Sequence, residues 1–284
     1  MPARIIDGRA HARAIREELW RVIVAHPDQR PPGITVIQVG DDPASTTYVG
    51  GKQKAAEEVG FKSAVEHLHD ITQQQLHDCI NALARDDSID GILVQIPLPE
   101  GLNPDQALEQ IPPHKDVDGL HPYNAGRLAQ GNPTFIPATP LGVLELLRRE
   151  HIDVTGKRAV IVGRSRLVGR PLALLLIQNH ATVTIAHSQT SDLPSVTQQA
   201  DILIAATGKP RLITGDHVKP GAVVIDVGIS RDPQTAKLVG DVDRASVEPI
   251  ASALTPVPGG VGPMTIAMLL VNTYRAHRQH LRQA

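Results

Sequence analysis

Short runs of apolar residues alternate along this chain with longer stretches in which apolar residues recur every three or four positions. The short runs are typical of buried strands, and the longer period is typical of amphipathic helices. Strands are predicted at 34–40, 63–69, 91–96, 158–162, 181–186, 201–205 and 222–227. Helices are predicted at 7–26, 45–60, 72–83, 139–149, 169–179, 191–199 and 266–277. The alternation predicts an α/β fold with a mainly parallel sheet.

Residues 97–140 interrupt this pattern. They are rich in Pro, Gly, Asn and Asp and have little periodicity. Because the segment is too long for a simple connector, we expect it to contain functional loops. Thr139-Pro140 then begins a helix, since proline is tolerated in the first helical turn. We place the crossing into a second domain at this point, which gives a first domain at 1–138 and a second at 139–263.

Composition excludes several classes of protein. The chain has 284 residues, a formal net charge of −2, thirteen histidines and one cysteine, Cys79. No basic run is long enough for a nucleic-acid surface, and a lone cysteine excludes an internal disulfide. The histidines lack metal-ligand spacing, so no metal is assigned. No stretch resembles a signal peptide or approaches the ~18 apolar residues of a membrane span, so we expect a cytoplasmic protein without a membrane partner.

The stretch 158–171 has the pattern of a strand, a tight turn and the first turn of a helix. Gly163 allows the turn, and the helix N-terminus attracts phosphate through free N–H groups and the helix dipole. The stretch departs from G-x-G-x-x-G, because Ser165 takes the middle position and Gly169 comes one residue late. Taken alone, it is compatible with a nucleotide site and with an ordinary strand–helix turn.

The end of the next strand bears on which nucleotide would bind. Strand 181–186 ends in His187-Ser188, where NAD sites usually carry an acidic residue that binds the ribose hydroxyls. Arg164 in the turn and Ser188 at the strand end are instead suited to a 2′-phosphate. The sequence therefore favours NADP.

Four polar residues of the first half are candidates for chemistry. Tyr48 and Lys52 share one face of a helix, and burial would bring the lysine pKa toward neutrality, where the side chain can move protons. Gln95 ends an apolar strand, at the sheet edge where ligands bind. Asp118 could accept two hydrogen bonds from adjacent N–H donors of a heterocycle. The alternatives stay open: a surface lysine beside a packed tyrosine, a glutamine bonded to a loop, and a simple Asp-Gly turn.

The segment 255–265, Thr-Pro-Val-Pro-Gly-Gly-Val-Gly-Pro-Met-Thr, holds more glycine and proline than a turn requires. Its backbone could approach a flat ligand closely, and a structural loop is the alternative.

Together and in this order, these motifs resemble those of the bifunctional methylenetetrahydrofolate dehydrogenase/cyclohydrolase family. The matching stretches are Gly40-Asp-Asp-Pro-Ala-Ser45, Tyr48-Val-Gly-Gly-Lys52, Val94-Gln-Ile-Pro-Leu-Pro99, Lys115-Asp-Val-Asp-Gly119, 163–171, Asp226-Val-Gly-Ile229, Gly240-Asp-Val-Asp243 and Pro256-Val-Pro-Gly-Gly-Val-Gly-Pro263. They extend over nearly the whole chain, and the last is the most specific.

The resemblance implies NADP-dependent oxidation of methylenetetrahydrofolate and then hydrolysis of the product to 10-formyltetrahydrofolate. Lys52 would be the acid/base of the hydrolysis, Gln95 would tune it, Tyr48 would lie against the folate and Asp118 would hold the pterin. The remaining implied contacts are Gly163, Arg164, Ser165, Ser188 and Ile229 with NADP, and Pro258, Gly259 and Gly260 with the substrate. The family also implies two α/β domains with a cleft between them, the second Rossmann-like, a C-terminal helix (264–284) that packs on the first domain, and a homodimer.

The sequence departs from the family at two positions, and two other functions are alternatives. Ala138 stands where relatives often have cysteine, so no thiol role is carried over. Gln189 follows His187-Ser188 where a basic residue is common, so NADP preference rests on Arg164 and Ser188. One rival is a nucleotide-binding regulatory protein without turnover, and the other is a different two-domain NADP dehydrogenase, such as a shikimate-type enzyme.

Overall fold

The computed structural model describes residues 2–232 and 235–282. The predicted first domain begins at residue 1 and the predicted C-terminal helix ends at residue 284. Residues 1 and 283–284 lie outside the described residues. The helices are α1 (Gly8–Val24), α2 (Pro43–Glu58), α3 (Gln73–Ala84), α4 (Pro104–Gln110), α5 (Pro122–Ala129), α6 (Ala138–Arg149), α7 (Gly169–Gln178), α8 (Leu193–Thr197), α9 (Arg244–Val247) and α10 (Val261–Leu281). The strands are β1 (Arg4–Ile5), β2 (Gly33–Val39), β3 (Lys62–Leu68), β4 (Gly91–Val94), β5 (Arg158–Val162), β6 (Thr182–Ala186), β7 (Ile202–Ala205), β8 (Val223–Asp226), β9 (Ser230–Arg231), β10 (Leu238–Val239) and β11 (Ala253–Leu254).

The chain divides into two compact units. The six-stranded unit comprises Met1–Ala12 and Thr139–Thr265, and the three-stranded unit comprises Arg13–Ala138 and Ile266–Ala284. The predicted boundary at 139 stays a prediction; in the structure, residues 1–12 group with the six-stranded unit and not with 13–138. The reason is that β1 pairs in parallel with β11, with Arg4 opposite Ala253, so the N-terminal residues belong to the larger sheet.

All strands of the six-stranded sheet are parallel, in the order β1-β11-β8-β7-β5-β6. The chain passes from β5 to β6 on one side and then crosses to β7 on the other. In open parallel sheets, ligands bind at the carboxyl ends of strands at such a reversal. The predicted α/β class with a mainly parallel sheet is confirmed. Strands β1 and β11 were not predicted, because two residues are too few to show a period.

The three-stranded sheet is also parallel, in the order β3-β2-β4. Every residue of β2 and of β4 is buried, and the aliphatic side chains on one face, Ile37, Val39, Ile92 and Val94, pack against α3 and α4. Helix α3 begins with a capping box, in which the side chains of Thr72 and Gln75 each accept a hydrogen bond from the backbone N–H of the other residue. Segment 97–140 is less irregular than expected, since it contains α4 and α5. Both helices begin with a proline after a polar cap, and at seven and eight residues they are too short for visible periodicity.

Within the described residues, no helix is both long enough and apolar enough to cross a membrane.

Candidate active site

Tyr48 and Lys52 lie one turn apart on α2, and both are half-buried. The helix begins earlier than predicted, because Asp42 caps it and accepts a hydrogen bond from Ser45 N at 2.7 Å. Lys52 Nζ donates to Gln95 Oε1 at 2.9 Å. The Gln95 amide is oriented by its own Nε2, which donates to Ile96 O at 2.7 Å. The structure therefore brings the lysine of α2 to the carboxyl end of β4.

Burial sets the electrostatics of this group. It lowers the pKa of Lys52, and the nearby negative charge of Asp118 acts in the opposite direction. Burial likewise raises the pKa of Asp118, and the charge of Lys52 opposes that change. The pKa of Tyr48 is also raised by burial. Lys52 and Asp118 thus interact, and each group is nearer to its neutral form than it would be in water.

The loop that carries Asp118 is held by two residues that the sequence reading did not single out as site residues. The buried Asp116 carboxylate accepts hydrogen bonds from His121 N at 2.8 Å and Asn124 Nδ2 at 2.8 Å. Asn272, fully buried on α10, donates from Nδ2 to Val117 O at 2.9 Å and to Ile136 O at 2.8 Å. Asn272 is far from this loop in the chain and matches no motif, so only the fold reveals its position.

Gly163 lies at the reversal point of the six-stranded sheet, directly after β5. Its φ is +130°, and a Cβ there would lie 2.1 Å from Ala206 O, at the end of β7. Gly169 is similarly restricted, since its Cβ would lie 2.1 Å from Gly163 O. Between them, Arg164 and Ser165 are exposed in the loop that leads into α7. The backbone here forms a cradle that only glycine permits, beside a helix N-terminus.

The other predicted cofactor contacts lie elsewhere in the same unit. Ser188 is exposed in the turn after β6, which is stabilised by a 2.9 Å hydrogen bond from His187 N to Thr190 Oγ1. Ile229, just before β9, is also exposed.

The predicted substrate contacts fall into both units. Tyr48, Gln95 and Asp118 belong to the three-stranded unit, whereas Pro258, Gly259 and Gly260 belong to the six-stranded unit. Gly259 has a φ of +114° and accepts a 3.1 Å hydrogen bond from Arg9 N.

Two buried aspartates of the six-stranded unit, Asp226 and Asp241, belong to the family motifs but are not among the predicted site residues. Asp226 accepts hydrogen bonds of 3.0 Å from the backbone N–H groups of Gly228, Asp241 and Val242. Burial raises the pKa of Asp226 to about 7, although these hydrogen bonds act to lower it. Asp241 accepts a 3.0 Å hydrogen bond from Gly208 N, in the turn after β7. The pair therefore holds the loop beside the Gly163 cradle.

Comparison with known proteins decides the family. The model described as the tetrahydrofolate dehydrogenase/cyclohydrolase catalytic domain matches residues 6–118, and that of the NAD(P)-binding domain matches residues 137–281. The chain belongs to the tetrahydrofolate dehydrogenase/cyclohydrolase family. The resemblance inferred from its motifs is confirmed.

Relatives from this family cover almost the whole chain. It is 53% identical to "Bifunctional protein FolD" of Roseiflexus castenholzii, over 98% of this chain and 97% of the relative. The solved FolD structure from Campylobacter jejuni is 49% identical with a TM-score of 0.94, covering 97% of this chain and 99% of that one. The Trypanosoma brucei enzyme, complexed with NADP cofactor and inhibitor, is 39% identical with a TM-score of 0.95, covering 99% of each chain.

The two family matches separate the candidate residues into two groups. Tyr48, Lys52, Gln95 and Asp118 fall within the catalytic-domain match. The group around Gly163, together with Ser188, Ile229 and 258–260, falls within the NAD(P)-binding match. The titratable side chains thus lie within the catalytic-domain match. The group that consists largely of backbone lies within the NAD(P)-binding match.

Proposed function

We propose that this chain oxidises 5,10-methylenetetrahydrofolate to 5,10-methenyltetrahydrofolate with NADP⁺ and then hydrolyses that product to 10-formyltetrahydrofolate. The observation that carries the proposal is the 2.9 Å hydrogen bond from Lys52 Nζ to Gln95 Oε1, in a half-buried setting that lowers the lysine pKa. It occurs in a chain whose family relatives are named as bifunctional enzymes.

The cradle at Gly163 fits a dinucleotide. Its positive φ and close approach to Ala206 place Arg164 and Ser165 in an exposed loop that leads into α7, and the N-terminus of that helix favours phosphate. The guanidinium of Arg164 and the hydroxyl of Ser188 are suited to the 2′-phosphate of NADP, and Ile229 offers an apolar contact. NADP⁺, when bound, accepts a hydride from the methylene carbon of the folate, which leaves the folate as a methenyl cation.

The hydrolysis needs a group that first takes a proton and then gives it back. Neutral Lys52 takes a proton from the water that attacks the methenyl carbon. The resulting ammonium then returns it to N5 as the bond between that carbon and N5 breaks. The hydroxyl proton of the same carbon passes to solvent as its C=O bond forms, which leaves the formyl group on N10. Gln95 keeps Nζ in place during both transfers. Asp118 accepts hydrogen bonds from the pterin ring, Tyr48 lies against the folate, and 258–260 supplies backbone contacts to the substrate.

Both rival functions are less well supported. A regulatory protein without turnover has no need for a lysine whose pKa is lowered beside an oriented glutamine amide. A shikimate dehydrogenase from Aquifex aeolicus shares the fold alone, at 12% identity and a TM-score of 0.55.

The proposal is tested by supplying 5,10-methylenetetrahydrofolate with NADP⁺ or NAD⁺ and measuring reduced cofactor and 10-formyltetrahydrofolate separately. We expect both products, with NADP⁺ preferred. Lys52→Met should lower formation of the formyl product at least ~100-fold, the lower range for loss of a general acid/base. Lys54→Met, exposed on the same helix, is the matched control and should leave it unchanged. Reduced cofactor without formyl product in the unaltered enzyme would contradict the bifunctional reading.

The homodimer and the cytoplasmic location also remain predictions. The six-stranded sheet ends at β6, whose Ile185 is exposed, and Ile177 of the preceding α7 is exposed as well. An uncovered edge strand with apolar neighbours supports a pairing surface for a second copy. Ile185→Lys should shift the protein to monomer in sedimentation analysis, and an unchanged mass would exclude β6 from the interface.

A further inference from the structure

We propose that Asp41, His67 and His69 form a binding site for one divalent transition-metal ion of the Zn²⁺ class. A carboxylate oxygen and one ring nitrogen from each histidine lie within 4.8 Å of one another. None of the three residues belongs to the site described above, and the sequence shows no metal motif because Asp41 is distant from the histidines along the chain.

The sheet itself produces this cluster. His67 and His69 are two positions apart at the end of β3, so both side chains point to the same side. Gly40, at the end of the neighbouring β2, donates its N–H to Leu68 O at 2.9 Å. That hydrogen bond holds Asp41 beside the two histidines, and the rings of His67 and His69 contact each other with centroids 4.3 Å apart.

Each histidine nitrogen lies at a ligand-like distance from a different oxygen of Asp41. Asp41 Oδ1 lies 3.3 Å from His67 Nε2, and Asp41 Oδ2 lies 3.3 Å from His69 Nδ1. Two ligands of a tetrahedral Zn²⁺ with bonds of about 2.0–2.1 Å lie about 3.3 Å apart. Gly40 O, 3.0 Å from His67 Nε2, is a further oxygen on the same side. An ion at this position would replace the hydrogens that the ring nitrogens otherwise direct at these oxygens.

The donor set selects the kind of ion. Imidazole nitrogens suit Zn²⁺, Ni²⁺, Cu²⁺ and Co²⁺, whereas Mg²⁺ and Ca²⁺ prefer oxygen ligands. The three side chains are 74%, 40% and 52% exposed, so an ion can enter directly from solvent and water can complete its coordination. Asp41 immediately precedes Asp42, the residue that caps α2. A bound ion would therefore restrain the loop from which the helix carrying Lys52 begins.

The test uses full-length, tag-free protein that has been stripped with a chelator and then freed of it. Zn²⁺ is titrated by calorimetry in a buffer without phosphate, and Co²⁺ binding is followed by visible absorption. We expect one equivalent of each metal, and a higher Tm with Zn²⁺ because the ion binds only the folded chain. Asp41→Asn and His69→Ala should each weaken binding at least ~10-fold, the lower end of what even outer partners of metal ligands contribute.

His26→Ala is the matched control, since His26 is exposed at the end of α1, away from the cluster in sequence, and should bind as the unaltered chain does. Absence of saturable binding to the unaltered chain would overturn the proposal. Binding that survives both cluster variants, or that falls equally in the control, would overturn it as well, because the ion would then be held elsewhere.

Discussion

A buried carboxylate fixes the C-terminal helix within the three-stranded unit. The Asp90 side chain is fully buried and accepts two hydrogen bonds from the Arg30 guanidinium, at 2.7 and 2.6 Å. It also accepts from Gly33 N at 2.8 Å, and its oxygens contact His277 Nδ1 at 3.1 Å and His280 Nδ1 at 3.2 Å, both on α10. One carboxylate therefore connects the start of β2 with α10.

We predict that Asp90→Asn lowers the free energy of unfolding of this unit by about 3 kcal/mol at pH 7. Breaking a buried ion pair costs about 3–5 kcal/mol, and Arg30, which is 30% exposed, recovers part of its hydration. The asparagine keeps one acceptor oxygen, but its NH₂ group faces N–H donors that the second carboxylate oxygen accepted from, so those hydrogen bonds are lost. A loss of this size corresponds to a fall in Tm of about 6–12 °C for a unit of this size.

The measurement is urea unfolding followed by the fluorescence of Trp20. This is the chain's only tryptophan and lies in the three-stranded unit, so the signal reports that unit. Glu58→Gln is the matched control, because the Arg16–Glu58 pair of the same unit is partly exposed, at 3.4 Å. The control should change the stability by less than about 1 kcal/mol. If Asp90→Asn and the control cost the same, the assignment of Asp90 as a structural anchor is wrong.

The pH dependence gives a second check on the same residue. Burial acts to raise the pKa of Asp90, but the hydrogen bonds from Arg30, His277 and Gly33 lower it below the ordinary value of 3.8. A carboxyl group whose pKa is depressed by folding stabilises the fold above its unfolded pKa, and that stabilisation is lost as the pH falls toward the folded pKa. The difference between Asp90→Asn and the unaltered chain should therefore be constant near neutral pH and decrease below about pH 4.

Three further predictions concern the proposed activities. Gly163→Ala should raise the KM for NADP⁺ at least ~10-fold, because its Cβ would lie 2.1 Å from Ala206 O, while hydrolysis of supplied methenyltetrahydrofolate stays unchanged. Asn272→Leu, which removes the hydrogen bonds to Val117 O and Ile136 O, should raise the KM for the folate about 10-fold or more without altering that for NADP⁺. Hydrolysis should increase with pH through the Lys52 pKa, with an inflection below the ordinary 10.5, because the neutral amine is the base; a profile without that inflection would contradict this role.

The periodic parts of the fold were predictable from local pattern. Strands such as β5 and β7 show as uninterrupted β-branched and aliphatic runs because both faces of a parallel sheet are covered. The capping box of α3 lies within four residues and could be read directly. In contrast, β1 joins the six-stranded sheet through its pairing with β11, and no local pattern indicates a partner almost 250 positions away.

Among the candidate residues, too, some could be identified from local sequence and others only from the fold. Lys52 and Gln95 were identifiable because one is placed by helical spacing and the other by the end of a strand. Asn272 was not, because its role depends on contacts with the carbonyl groups of Val117 and Ile136, and any backbone segment offers carbonyl groups. Asp41 was likewise hidden, since only the pairing of β2 with β3 brings it to His67.

The electrostatics around Lys52 explain how one site can serve both proposed reactions. Burial moves the pKa of Lys52 down and that of Asp118 up, while the charge of each group opposes the shift of the other. Hydride loss from the folate then creates a positive charge on the substrate. A new cation near an ammonium disfavours the protonated lysine and favours the ionised aspartate. Under the proposed roles, the first reaction therefore favours the neutral form of Lys52 that the second reaction needs.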